Sequence, residues 1–198
     1  MAKKPSFSAV ILAAGLSGRM GTSKSFLSLE GKTFIENIVQ GYQKSGAHEI
    51  VIVTNNKDKE RCLRIFPPSV SGIVIAVNEH PEKGRFLSLK TGLSALKNTH
   101  LCFIHNVDNP FADDTIIKGM LQSVQAGTYS VPVFKNKKGH PILISNTLIN
   151  DILSEPHDDL ILKNFLEKYD CTFFKCHSKK ILININTQGD YRRLLPVQ

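Results

Sequence analysis

Ala9-Val-Ile-Leu-Ala-Ala-Gly-Leu-Ser-Gly-Arg-Met-Gly-Thr-Ser-Lys24 sets a short apolar run directly against a glycine-rich, cationic loop. Ala9 to Leu12 carries two β-branched residues and suits a strand buried on both faces of a parallel sheet. Gly15, Gly18 and Gly21 leave backbone amides unobstructed and permit positive φ, and Arg19 and Lys24 bring two cations to the same loop. A polyphosphate needs that combination. The spacing is neither that of a P-loop nor that of a Rossmann turn, because five residues on from Gly15 stands Met20 and the lysine follows the last glycine by three.

Outward from this loop the pattern alternates. Phe26 to Gly31 reads as a brief extended piece. Thr33 then caps a helix, with Glu36 three residues on as in a capping box and Phe34, Ile35, Ile38, Val39 and Tyr42 as its apolar stripe; Gly46 stops it. Strands are expected at His48 to Thr54, Ile73 to Val77 and His100 to Val107. Helices are expected from Asn55–Lys57 to Phe66, where Pro67-Pro68 forbids continuation, and at Phe86 to Leu96. This half predicts a doubly wound α/β sheet, whose ligands sit beyond the carboxyl ends of strands.

The second half predicts a helix over Asp113 to Ala126 and strands at Tyr129 to Phe134 and Pro141 to Ile144, joined through Lys135 to His140 as an antiparallel element. Helices at Asn146 to Leu153 and Asp158 to Tyr169, strands at Cys171 to Cys176 and Lys180 to Ile185, and a helix over Gln188 to Leu195 complete the reading. The fold class is therefore three-layer α/β, doubly wound and mostly parallel, with one antiparallel element. A single domain over 1–198 is the economical organisation, since no repeat, linker or low-complexity stretch interrupts it.

Composition narrows the class. Hydrophobic residues make up 41% and no apolar run approaches the length of a membrane span, so a soluble protein is expected. Lys3 and Lys4 before Phe7 to Leu16 mimic a signal peptide, but Ser8, Gly15, Arg19 and Lys24 break that pattern. Cys62, Cys102, Cys171 and Cys176 have neither C-x-x-C nor metal spacing and read as reduced thiols of a cytoplasmic protein. The net charge of +8 suits a small polyanion as well as a nucleic acid. Its cations are dispersed, with no basic tail, RNP-like strand or zinc-finger spacing, so no nucleic-acid partner is expected.

Asp108, an acid at the end of an apolar strand, is a candidate ligand for magnesium carried by a nucleoside triphosphate, which needs only one or two protein carboxylates besides the phosphates. Its other reading is an Asx turn into the following helix. Read alone, Gly84 and Ser88 open a helix, Gly139-His140-Pro141 is a hairpin turn, and Asp190 is an acid facing a helix N-terminus.

Leu12, Ala13, Ala14, Gly15, Ser17, Arg19, Met20, Gly21 and Lys24 resemble the L-A-A/G-G-x-S-x-R-M-G-x-x-K motif of the MobA-like NTP transferases, which include molybdenum cofactor cytidylyl- and guanylyltransferases. Asp108-Asn109-Pro110 resembles the family's acid-before-proline element. Gly84 to Leu89 resembles its base-pocket stretch, which would give Gly84 and Ser88 nucleotide contacts, and Gly139-His140-Pro141 resembles its acceptor-side element. The resemblance runs from Val10 to Tyr191 and implies a nucleotide-diphospho-sugar transferase-like fold.

It also implies attack of an acceptor phosphate on the α-phosphorus of an NTP, with pyrophosphate leaving. Leu12 to Gly15, Ser17 to Gly21 (Gly18 included) and Lys24 would hold the triphosphate. Arg19, Lys24 and Asp108 would carry the chemistry. Mg2+ is the implied cofactor, with Asp108 its ligand and Asn186 a weaker candidate, and His140 lies on the acceptor side. Asn184 and Asn186 stand where the cytidylyltransferase pattern has aspartates and match the guanylyltransferase form, whereas Ala13-Ala14 matches the form associated with CTP. CTP is the expected donor and a molybdopterin-type cofactor the expected acceptor, with a molybdoenzyme or its maturation factor as implied partner. The rivals are transfer to a sugar phosphate or other small phosphate, a nucleotide-binding regulator or chaperone without turnover, and, on net charge alone, a nucleic-acid-binding module.

Overall fold

Alternate residues of the strand Phe7–Leu12 (β1) serve opposite faces of one sheet: Ala9 and Ile11 enter one buried cluster and Val10 the other. The computed structural model describes residues 6–15, 22–97 and 99–195. After β1, the short pair Ser28–Leu29 (β2) and Lys32–Thr33 (β3) leads into Phe34–Ser45 (α1). Thr33 and Glu36 form the expected capping box, and Gly46 closes the helix with φ +90°. Glu49–Thr54 (β4), Asn56–Ile65 (α2), Ile73–Val77 (β5), Arg85–Ser94 (α3) and Leu101–Asn106 (β6) follow in strict alternation.

The chain then forms Asp114–Ser123 (α4), Tyr129–Phe134 (β7), Lys137–Lys138 (β8), Ile142–Ser145 (β9), Asn146–Ser154 (α5), Leu162–Leu166 (α6), Cys171–Lys175 (β10) and Gln188–Leu194 (α7). The strand order is β10-β7-β9-β6-β1-β4-β5, with β8 added to β7. All pairs of long strands are parallel except those made by β9, which runs against both β6 and β7. The expected antiparallel element is thus one reversed strand plus the small β7–β8 pair.

Helices α1, α2 and α4 cover one face through Ile38, Cys62 and Ile117, and α3, α5 and α6 cover the other through Leu89, Leu148 and Phe165, giving three layers. Gly92 lets α3 lie directly on Val10 and Val53, where a β-carbon would collide with both valines. Since β4 and β5 extend from one side of β1 and β6 from the other, the order of strands reverses at β1. The carboxyl ends of β1 and β6 flank that switch point.

Two expected elements differ. The helix expected over Asp158 to Tyr169 is confined to Leu162–Leu166, because Lys90 holds the preceding segment by the Glu155 carbonyl and the Asp158 carboxylate, both at 2.7 Å. The strand expected over Lys180 to Ile185 is a 3-10 turn over Lys179–Leu182 with an extended tail. Its polar backbone atoms serve neighbouring loops instead of a ladder: Asn109 Nδ2 donates to the Lys180 carbonyl, His140 N to that of Ile181, and Ile185 N to that of Asp108.

Candidate active site

The carboxyl ends of β1 and β6, the start of α3 and the tail after residue 182 enclose a cleft of about 310 Å³. Leu12, Ala13, Ala14 and Gly15 form one wall, and Lys24, Gly84, Ser88, Asp108 and Asn186 all reach it. Ala13 N donates to the Val53 carbonyl at 2.8 Å, and Asn55 Nδ2 reaches the Ala14 carbonyl at 3.3 Å while Asn55 also caps α2. The start of the glycine loop is therefore tied to the neighbouring strand and helix. A β-carbon on Gly15 would meet nothing within 4 Å, so the direction a side chain would take there is open. Ser17, Gly18, Arg19, Met20 and Gly21 lie outside the described residues.

Asp108 sits on the turn after β6, and three hydrogen bonds hold that turn. Asn109 N donates to the Asn106 carbonyl, Asn109 Oδ1 accepts from Phe111 N, and the Asp108 carbonyl accepts from Ile185 N. Beneath it, fully buried His105 places Nε2 2.7 Å from the Asn109 carbonyl and Nδ1 2.9 Å from the Tyr42 hydroxyl. A carbonyl only accepts, so Nε2 carries the proton and the Tyr42 hydroxyl donates to Nδ1. Burial lowers the His105 pKa to about 4, so the ring stays neutral.

The Asp108 carboxylate itself is left open. Its side chain is 9% exposed, Oδ2 lies 3.7 Å from Arg85 Nη2, and Oδ1 is buried without a hydrogen-bond partner among the described residues. An unmatched buried carboxylate oxygen is costly, and a cation resolves that cost. This donor set fits a magnesium ion that arrives with phosphates, since Asp108 supplies the charge and Asn106 and Asn186 put amide groups on the same cleft. Among the described residues no group of three His, Cys, Asp or Glu side chains converges into a fully protein-built cage.

Gly84 has φ +102° and ψ −175°, a conformation that L side chains rarely adopt, and an added β-carbon there would meet nothing within 4 Å. Ser88 is buried, accepts from Asn78 Nδ2 at 2.9 Å and donates to the Gly84 carbonyl at 3.4 Å, so it braces the glycine as well as lining the cleft. Lys24 Nζ donates to Asn186 Oδ1 at 2.8 Å, joining residues 162 positions apart. Asp190 is the third residue of α7 in a capping box whose cap is Thr187: its Oδ2 accepts from the Thr187 hydroxyl and from the backbone of Asn186 and Thr187, and these hydrogen bonds lower its pKa.

His140 lines an adjoining hollow, not the cleft. Its pKa is lowered, chiefly by burial, against the opposing effect of Asp108. Sequence reasoning passed over Arg85 and Asn106. Arg85 is a lone exposed arginine at a helix start, and only the fold shows that it faces Asp108; Asn106 is the residue that ends β6 and carries no motif of its own.

Comparison with known proteins agrees with this fold. A relative named probable molybdenum cofactor guanylyltransferase, from Natranaerobius thermophilus, is 30% identical over 203 residues, covering 92% of each chain. The molybdenum cofactor cytidylyltransferase of Escherichia coli is 26% identical over 182 residues, again covering 92% of each. The crystal structure of Rv0371c in complex with manganese from Mycobacterium tuberculosis shares the fold, with a TM-score of 0.73 at 17% identity over 96% of this chain and 98% of that one. The family model described as the MobA-like NTP transferase domain matches residues 9–172, and with the cleft at the β1–β6 switch point the chain belongs to that family of nucleotidyltransferases.

Proposed function

We propose that this enzyme, working as one domain, transfers CMP from CTP to the phosphate of a molybdopterin-type cofactor and releases pyrophosphate. The observation that carries the reading is the cleft itself, which gathers the start of the glycine loop, Lys24, Asp108 and Asn186 at one strand-end switch point. Relatives named for both cytidylyl and guanylyl transfer to the molybdenum cofactor support the acceptor. The choice of CTP rests on Ala13-Ala14.

In this reading the backbone from Ala14 to Gly21 cradles the triphosphate, and Arg19 and Lys24 neutralise charge on the phosphates and on the departing pyrophosphate. Asn186 holds the Lys24 ammonium at the cleft. Gly84 and Ser88 bound the nucleoside. Asp108 would hold magnesium, which when bound shields phosphate charge. An acceptor phosphate is largely ionised near neutral pH, so no strong base is needed. Positioning and charge neutralisation supply the rate. His140, neutral through burial, borders the acceptor side. We place the reaction in the cytoplasm, supported by four free cysteines, Cys62, Cys102, Cys171 and Cys176. Among the described residues no helix is long and apolar enough to cross a membrane.

The test is pyrophosphate release with CTP, GTP, ATP and UTP in turn, with magnesium, against molybdopterin-type cofactor, sugar phosphates and phosphocholine. Release with CTP and the cofactor is expected. Release with another pair reassigns the substrates, and CTP binding without any release identifies a nucleotide-binding regulator.

A further inference from the structure

The strand order leaves β10 as one border of the sheet, bonded to β7 on one side only. The Asp170 carbonyl accepts from Tyr129 N and Cys176 N donates to the Val133 carbonyl, so the even-numbered residues of this stretch face β7. In a parallel ladder the residues between them turn the other way, and Cys171, Phe173 and Lys175 present their amides and carbonyls outward. Among the described residues no hydrogen bond uses those groups. Phe173 stands on the same border with 52% of its surface exposed. Such an edge is a template for one more strand.

The carboxyl end of that border is cationic. Lys135 and Asn136 take positive φ in the turn between β7 and β8, which presents Lys135, Lys137 and Lys138, and Lys175 and Lys179 come from β10 and the turn after it. All five lysines are exposed, and none makes an ion pair among the described residues. Cations far apart in the chain meet through the sheet. Val133 is the register partner of both Lys175 and Lys138, which puts the two on one face with Phe173, and Lys138 Nζ lies 4.8 Å from the centre of the Phe173 ring. No Asp or Glu occurs from 115 to 150 or from 171 to 189; Glu167 and Asp170 precede the strand, at its amino end.

We propose that the β10 edge docks a protein partner, which adds an acidic, extended segment to the sheet as a further strand. The open backbone selects a peptide, because only another strand supplies donors and acceptors in matching alternation. The lysines select acids, and Phe173 gives an apolar side chain of the partner a seat between Lys138 and Lys175. A second copy of this chain is excluded by the same charges, since two such edges would set lysine against lysine. The hairpin that carries the lysines runs directly into Gly139-His140-Pro141, so a docked partner lies beside the acceptor side. On the nucleotidyl-transfer reading above, on which this last step alone rests, the partner is the protein that takes up the finished product.

The experiment uses the full chain and a fluorescein-labelled short peptide of alternating glutamate and valine, with a lysine–valine peptide, a short oligouridylate and phosphatidylserine vesicles measured in parallel. The acidic peptide is expected to bind about tenfold or more tightly than the lysine–valine peptide, the scale of a few surface ion pairs, and to lose about that factor when Lys138, Lys175 and Lys179 are all replaced by glutamine. Hydrogen exchange followed by NMR is expected to slow at the Phe173 and Lys175 amides on saturation, with the Phe174 amide, which faces β7, unaltered. No binding of the acidic peptide, equal affinity for the two peptides, undiminished binding by the substituted chain, or binding that leaves the Phe173 and Lys175 amides exchanging freely overturns the proposal. Tighter binding of the oligouridylate or of the vesicles assigns the lysines to a nucleic acid or a membrane and also overturns it, as does self-association that protects the same amides in the free chain. A CTP titration separates the two levels: CTP bound without docking removes only the edge site, and docking without CTP binding removes the transfer reading and leaves the edge site standing.

Discussion

Replacing Asp108 by asparagine is expected to move stability and activity in opposite directions. The substitution keeps the shape and the backbone hydrogen bond from Ile185, and removes only the charge. In the native chain that charge is 9% exposed, and among the described residues one oxygen lacks a partner and the nearest cation, Arg85 at 3.7 Å, is itself 74% exposed. So exposed a pair returns about 0–1 kcal/mol, less than the desolvation of a buried carboxylate costs. Asp108→Asn should therefore stabilise the ligand-free protein by about 1 kcal/mol, which for a chain of this size raises Tm by about 2–4 °C.

Turnover should fall roughly a hundred- to a thousandfold, the usual effect of removing one preorganised electrostatic group from a site, and the magnesium dependence should weaken. Thermal denaturation and steady-state pyrophosphate release on the same preparations measure both effects. A variant that loses more than about 1 kcal/mol of stability while keeping its rate and its magnesium titration would show that the carboxylate serves the fold, and the reasoning would be refuted.

Three further perturbations follow from the same geometry. Lys24→Ala should cut turnover by several powers of ten with an unchanged circular dichroism spectrum, because its hydrogen bond to Asn186 is exposed and contributes little to folding; a near-normal rate removes Lys24 from the phosphates. His105, with a folded pKa of about 4 against 6.5, binds its proton more readily when unfolded. Its contribution is intact above pH 6.5 and is lost toward pH 4, so stability should fall by about 1.4 kcal/mol per unit across that window. His105→Gln should flatten the slope in urea titrations at pH 5 and 7. Gly84→Ala should strain a backbone at φ +102° by about 1–3 kcal/mol and crowd the cleft, weakening nucleotide affinity in a direct titration. Unaltered affinity would place the nucleoside elsewhere.

Most of the sheet was legible because its signals are local. Four branched residues in a row from Ile50 to Val53 belong in a central strand, and Thr33 with Glu36 announces a helix start that the structure reproduces atom for atom. The helix expected from Asp158 failed for a reason no window of sequence contains, since Lys90, 68 residues earlier, claims the Asp158 carboxylate. Lys180 to Ile185 reads as a strand by composition, but its carbonyls and amides are taken by Asn109, His140 and Asp108. In the site, Gly15, Lys24, Gly84 and Asp108 were visible because each stands in a recognisable pattern. Arg85 was not, because what distinguishes it is only the carboxylate across the cleft. The inner support by Tyr42 and His105 looked like ordinary core sequence.

The tether between Lys24 and Asn186, with the Ile185 amide fixed on the Asp108 carbonyl, also orders events in time. Synthesis delivers the glycine loop first and the residues that close the cleft 162 positions later. Until that tail docks, the lysine and the acid turn lack these two restraints, whatever the sheet behind them has achieved. Retention of nucleotide is thus a report that the chain has finished folding, and a chain cut before residue 180 would keep β1, β4, β5 and β6 yet hold its ligand poorly.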